Sequence, residues 1–406
     1  MAKLIMLKLT APRATVTKYR GGLTPKTLER KSVNGEAQVV VVDDTKDAYE
    51  EARRSDQVVA FGRAMPLKLI RPKAADDDDR AVAETKSAGF SWGLHATSVM
   101  ATASRGEGVT VAVLDTGIHQ QHLAFQDPKL TIIQKNFTAG SPEDEDGHGT
   151  HCAGTIFGRD VNGVRIGVAP GVTKALIGKV IGEGAGTEAL IDAIQWALAG
   201  GANVISMSLG FDFVSFRDEL VAQGVPGEAA TSEALEAFRE NVRLFDAIMQ
   251  INRSQEGLNR SAIIVAAAGN ESNRLGHKPF AISRSSPAAA EGVISVGAMM
   301  QSKNGLRVAD FSNSKPTLVG PGVGIVSAKA NVGGALNGLV AMDGTSMACP
   351  HVAGLAALHW QAFKTGTRSP STITPNLLSS CELDAIDASD RDMTDIGRGL
   401  ARAPRG

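Results

Sequence analysis

Cysteine is scarce: the 406 residues hold three, Cys152, Cys349 and Cys381. So low and odd a count excludes a disulfide framework and fits a reducing compartment. Aromatic residues are few, at 4% of the chain. Neither sign of charge is in excess: 42 Lys+Arg face 43 Asp+Glu, a net of −1. That balance argues against a general nucleic-acid binder or a polybasic membrane binder. Long apolar runs are missing as well, and none approaches the ~18 residues needed to span a bilayer. The first residues, Met-Ala-Lys3-Leu-Ile-Met-Leu-Lys8, place four apolar residues between two lysines. A secretory signal needs an apolar core of about 7–15. The expected location is therefore the cytoplasm, with no nucleic-acid and no membrane partner.

What is present is ordinary for a soluble globular protein, with 43% apolar and 21% charged residues. Glycine is abundant at 44 residues, which suggests many tight turns and close backbone approaches. The charge is unevenly spread. Residues 1–75 carry 15 basic and 8 acidic side chains, a net of +7 that leaves −8 for the remainder, so the two parts attract. Within 1–75, residues 4–9 and 38–42 read as strands, Thr45–Ser55 as a helix capped by Thr45, and Gln57–Ile70 as further strand. This is a small basic α/β unit. The run Asp76-Asp77-Asp78-Asp79 then reads as a solvated acidic linker over 76–89, because four like charges repel in any compact state.

From residue 90 to 406 the pattern changes. Val109–Leu114, Lys174–Ile181, Val204–Leu209, Ser261–Ala268 and Val293–Met299 are rich in apolar and β-branched residues, as in strands buried on both faces of a parallel sheet. Helical stretches at 148–157, 187–199, 231–252 and 346–364 alternate with them. The predicted fold is α/β: a doubly wound, mostly parallel sheet flanked by helices.

Three segments carry chemistry. Val111-Ala-Val-Leu-Asp115-Thr-Gly117 puts a carboxylate at the carboxyl end of a buried strand, where open α/β sheets place their sites. Asp146-Gly-His148-Gly-Thr-His151-Cys-Ala-Gly opens a helix on a histidine. Gly344-Thr-Ser346-Met-Ala-Cys349-Pro-His351-Val-Ala-Gly opens another on a serine, at the positive end of the helix dipole. A hydroxyl is a poor nucleophile at neutral pH; it needs a base in hydrogen-bonding reach and a third group that fixes the base's tautomer.

In this order the three segments resemble the subtilisin-like serine peptidases from about residue 90 to 403. A fourth motif, Val265-Ala-Ala-Ala-Gly269-Asn270-Glu271, and a closing segment, Ile396-Gly-Arg-Gly399-Leu-Ala, strengthen the likeness. The resemblance implies a serine endopeptidase acting through an acyl-enzyme. Ser346 is the nucleophile, His148 the base and Asp115 its orienting group, and Asn270 is the oxyanion donor beside the Ser346 backbone N–H. It also implies a cleft in which a protein or peptide substrate pairs as an extra strand with Ser208-Leu209-Gly210. The Ala268-Gly269 backbone forms the far wall, Ser283–Pro287 forms the floor, and an apolar or small residue is expected at the position before the cut. Activity should rise with pH as His148 loses its proton near neutrality.

No cofactor is required. The family's calcium site is not favoured, because Ala124 stands where it has a carboxylate, leaving Asp160-Val-Asn162-Gly-Val164 short of the 6–8 oxygens that calcium takes. Residues 1–75 are expected to be a pro-domain that folds against the catalytic domain as an intramolecular inhibitor, with the 72–88 linker as the place of cleavage. A permanent accessory domain is the next reading, and a nucleic-acid-binding module the third. Residues 211–260 exceed the usual connection and include a helix from Thr231 to Gln250, expected to pack on the sheet. Cys152 and Cys349 are expected to be small buried residues, and His151 and His351 lack a third ligand spaced for zinc. Two other functions stay open on the same scaffold: an acyl-transferring peptide ligase or cyclase, and a non-catalytic peptide binder.

Overall fold

The structure, a computed structural model, describes residues 3–9, 37–72, 78–330 and 334–405. One eight-stranded sheet organises it. Its order is Gly305–Val308, Ile294–Ser302, Ile263–Ala267, Val204–Met207, Thr110–Asp115, Lys174–Lys179 and Thr131–Asn136, with Leu318–Pro321 also paired to Ile294–Ser302. All pairs are parallel except that between Ile294–Ser302 and Gly305–Val308. The doubly wound, mostly parallel sheet flanked by helices is thus present.

Alternation along the strands divides the core. Val111 and Val113 point to a layer that contains the helices His148–Phe157 and Thr345–Ala362; Ala112 and Leu114 point to one that contains Thr187–Ala199 and Gly227–Ser254. The helices 148–157 and 187–199 have the bounds that their sequence suggests. The edge strand Thr131–Asn136 was not legible, because at an exposed edge it lacks a continuous apolar run. Among the described residues no helix is long and apolar enough to cross a membrane.

Residues 3–9, 37–43 and 58–63 form a three-stranded antiparallel sheet with the helix Lys46–Arg54, whose N-cap Thr45 accepts from Ala48 N at 3.2 Å. Ile5, Leu7 and Met65 of this unit belong to the same apolar layer as Leu244 and Phe245, so the interface is a shared core.

Two expectations need correction. Asp78–Ala88, placed in the acidic linker, is an α-helix packed on the hairpin Ile325–Ala328/Leu339–Met342. Asp78 and Asp79 lie in its first turn, where the dipole favours negative charge, and the Asp78 carboxylate accepts from Ala341 N at 2.7 Å. Asp76 and Asp77 lie outside the described residues. Besides a short 3-10 turn, Glu256–Leu258, the insertion holds two α-helices, Phe213–Ala222 and Gly227–Ser254. The second buries Leu244, Phe245 and Ile248 against the sheet, but it also lies along Val58–Arg63 of the N-terminal unit, and Leu235 is exposed.

Candidate active site

The strand order reverses at Thr110–Asp115: the chain runs to one side through 174–179 and 131–136 and to the other through 204–207. A crevice opens at such a point beyond the carboxyl ends of the strands. Asp115 ends its strand there, 1% exposed, and its Oδ1 lies 2.7 Å from His148 Nδ1. Thr116 N also donates to Oδ1, at 2.8 Å, which fixes the carboxylate plane.

His148 is the first residue of its helix. The preceding Gly147 has φ +93°, a turn that an L side chain rarely adopts. Gly149 lets the helix start press against the Asp115 strand end: a Cβ there would lie 2.2 Å from Gly117 O. An anchor that the motifs did not reveal is Asp144. Buried at 1% exposure, its carboxylate accepts from Gly147 N and Thr150 N, both at 2.8 Å, and from the hydroxyls of Thr116 and Thr150. It caps the helix start and ties it to the strand end, so imidazole and carboxylate are presented together. The only readable signal was an acidic residue shortly before a Gly-His helix start.

Burial alone would push the His148 pKa down. The Asp115 charge and hydrogen bond, helped by Cys152, outweigh it, and the imidazole is held well above its ordinary 6.5. With Nδ1 facing Asp115, Nε2 is left without a partner among the described residues. This is the arrangement of a general base.

Ser346 is the second residue of Thr345–Ala362 and is fully buried. Its backbone carbonyl and the His148 ring flank one sulfur: Cys152 Sγ lies 3.4 Å from Ser346 O and 3.8 Å from His148 Nδ1. Ser346 Oγ does not bond His148. It donates instead to Ile70 O at 2.8 Å. Asn270 is fixed from its oxygen side, accepting from Thr345 N at 2.9 Å and Thr345 Oγ1 at 2.8 Å. Its amide is thereby turned into the crevice, where Nδ2 donates to Arg71 O at 3.0 Å. Thr345 had given no sequence signal.

The chain's own N-terminal unit fills the cleft. Leu67–Leu69 pairs antiparallel with Leu209–Phe211, in the register Leu67 to Phe211, Lys68 to Gly210 and Leu69 to Leu209. Ile70 N reaches Ser208 O at 3.4 Å, and Pro66 bridges Gly186 on the other side. Ile70 is 2% exposed, and its Cγ1 would lie 3.9 Å from a Cβ added at Gly210, which would itself sit 3.5 Å from Ser285 Cβ. Ser285 N donates to Ala268 O at 2.9 Å, and Asn313 N to Gly269 O at 3.1 Å, so the 268–269 backbone is held by its neighbours. Charges of opposite sign meet across the cleft, Lys68 with Glu271 at 3.1 Å and Arg71 with Asp146 at 3.6 Å.

The remaining motif residues are structural. Burial pushes the Cys152 thiol up and Cys349 to about 12, so neither is a ready thiolate. His151 Nε2 and His351 Nδ1 bond the carbonyls of Ile325 and Met347, and burial lowers the two imidazoles to about 3 and about 4.

A carboxylate–imidazole pair beside an alcohol that opens a helix is the equipment of a serine hydrolase. Comparison with known proteins narrows the class. Residues 106–393 match the model of the subtilase family, Peptidase_S8, and the chain belongs to that family. It is 35% identical over 287 residues to Subtilisin-like protease 3 of Pseudogymnoascus destructans, covering 68% of this chain and 57% of that protein. It is 31% identical to Subtilisin DY of Bacillus licheniformis, over 67% of this chain and 84% of the other. The Major intracellular serine protease of Bacillus subtilis is 34% identical, over 65% and 72% respectively. The chain thus spans less than two thirds of the length of the fungal relative.

Proposed function

We propose that the chain is a serine endopeptidase that hydrolyses peptide bonds in protein or peptide substrates. Ser346 attacks the carbonyl carbon, and His148 Nε2 takes its proton and returns it to the leaving amine. Asp115 holds the imidazole and stabilises its charged form. Asn270 Nδ2, with the Ser346 N–H, stabilises the oxyanion. Ser208–Gly210 carries the substrate as an added strand, opposite Ala268 and Gly269. The observation that carries this reading is the docked segment: a peptide lies antiparallel on 209–211 with its carbonyls against Ser346 Oγ and Asn270 Nδ2, beside the 2.7 Å Asp115–His148 pair.

In the same reading the N-terminal unit is an intramolecular inhibitor, since its strand occupies the groove a substrate needs. Ile70, an apolar residue, sits where the residue before the cut would bind. No cofactor is required, and the calcium site that the resemblance implies is not favoured. The Arg159 guanidinium occupies the loop side by donating to Phe157 O, Val172 O and the Asp127 carboxylate. Val161 and Val164 close the 160–164 loop on each other at 2.9 and 3.0 Å.

Labelling by a fluorophosphonate tests the assignment. Covalent modification at Ser346 is expected once the cleft is open, and a chain that stays unlabelled after removal of residues 1–75 would contradict it. Asn270→Ala is expected to lower kcat by about 10²–10³ with little change in KM, because the donor acts on charge that develops in the transition state. A loss confined to KM would remove Asn270 from this role. Cleavage should also be slow in acid. The base acts unprotonated and its pKa is raised, so the rate of cleavage within the chain should climb with pH through a midpoint above 6.5. A rate that is flat from about pH 6 to 9 would exclude His148 as the base.

A further inference from the structure

The helix Gly227–Ser254 presents a polar face to the strand that leads into the cleft, and every contact there falls just upstream of the docked residues. Asn241, fully buried, donates through Nδ2 to Arg63 O at 2.8 Å, while its Oδ1 accepts from Thr187 Oγ1 at 2.9 Å. That same Thr187 oxygen accepts from Met65 N at 3.0 Å. Glu240, 4% exposed, accepts from Arg63 N at 3.3 Å through one oxygen and from the Tyr49 hydroxyl through the other. Arg63 in turn pairs with Asp44 at 2.8 Å and with Glu233. The strand lies flush on the helix, since a Cβ at Gly62 would be 3.1 Å from Glu240 Cβ. Downstream, Asp212 N donates to Pro66 O at 3.1 Å before the 67–69 ladder begins. Backbone groups of residues 63, 65 and 66 are therefore gripped by side chains or backbone of the catalytic part, and the grip sets how far the chain has advanced when it passes Ser346.

We infer that this insertion is a register clamp: Glu240 and Asn241 are positioning residues that fix which peptide bond of the docked segment is cut, and that bond is Ile70–Arg71. The inference rests on the peptidase reading and goes beyond it. The pairing of Lys68 with Gly210 and of Ile70 N with Ser208 O brings the Ile70 carbonyl to the Ser346 hydroxyl. The next bond, Arg71–Pro72, would have to release a proline nitrogen. For the cut, the Asn270 amide, now on Arg71 O, must move one carbonyl back to Ile70 O. The Ser346 Oγ–C bond to Ile70 then forms, the C–N bond to Arg71 breaks, and the Ser346 proton passes through His148 to the Arg71 amine. Water afterwards releases Ile70 as a carboxylate and restores the Ser346 hydroxyl.

The experiment is intact-mass analysis of the full chain over time, with fluorophosphonate labelling beside it. The wild type is expected to yield a fragment ending at Ile70 and one beginning at Arg71. Glu240→Ala, Asn241→Ala and Tyr49→Phe are expected to slow that cut by about tenfold or more, the worth of one hydrogen bond to a charged or buried partner. They should also scatter it to neighbouring bonds. Tyr49→Phe lies outside the catalytic part and so leaves its folding untouched. Leu235→Ala, on the exposed side of the same helix, should behave as wild type, and Glu240→Gln should recover the single site. Variants that label normally and cut only after Ile70 at the wild-type rate would overturn the clamp alone. A wild-type chain that does not cut, and that stays unlabelled after its N-terminal unit is removed, would overturn the peptidase reading and the clamp with it.

Discussion

Replacing Ser346 with alanine is expected to lower kcat by about 10⁶-fold, the order by which a serine triad fails without its nucleophile. The residual rate comes from the binding groove and the oxyanion donors, which still favour the transition state over water by about 10³–10⁴. The side chain sits fully buried at a helix start, where alanine fits without strain. The fold should therefore survive, at the cost of the hydrogen bond to Ile70 O, worth about 1 kcal/mol. Turnover of a peptide ester and the mass of the purified chain report together. The variant should be inactive and full length, beside a wild type that shortens itself. Esterase activity within tenfold of wild type would remove Ser346 from the mechanism.

Asp115→Asn should cost about 10⁴ in kcat while leaving KM nearly unchanged. Thr116 N and His148 Nδ1 meet the same oxygen, Oδ1, at 2.8 and 2.7 Å, so an amide oxygen there would keep both contacts but lose the charge, and its NH2 would take the place of Oδ2, which has no partner among the described residues. The neutral amide no longer stabilises the imidazolium that forms when His148 takes the Ser346 proton. The sign of the pH effect follows from the same contact. Without the Asp115 charge, burial, which lowers the imidazole pKa, is opposed by Cys152 with no carboxylate beside it, so the acid limb of the residual activity should move to lower pH than in wild type. A variant whose limb stays above 6.5, or whose kcat falls by less than tenfold, would show that Asp115 does not set the state of His148.

Much of this site was legible because its chemistry sits in short contiguous stretches. The strand ending in Asp115 is a continuous apolar run, His148 and Ser346 each open a helix next to glycine, and Asn270 follows a small-residue run. Buttressing residues were less legible. Asp144 and Thr345 are ordinary acidic and hydroxyl residues whose role appears only when their hydrogen bonds to Gly147, Thr150 and Asn270 are seen. The Asp78–Ala88 helix escaped because like charges read as mutual repulsion, whereas a helix N-terminus and Ala341 N stabilise them.

The sequence by itself determined the α/β layering and the identity of the groups that meet at the crevice, since apolar periodicity and helix-start chemistry act over a few neighbouring residues. It also showed the opposite charges of the two parts of the chain. Only the tertiary structure decided what fills the cleft, that Ile70 lies at Ser346, and that the long insertion grips Arg63 through Glu240 and Asn241. Those pairings join segments far apart along the chain. They depend on the register in which two surfaces close on each other, which no local pattern records.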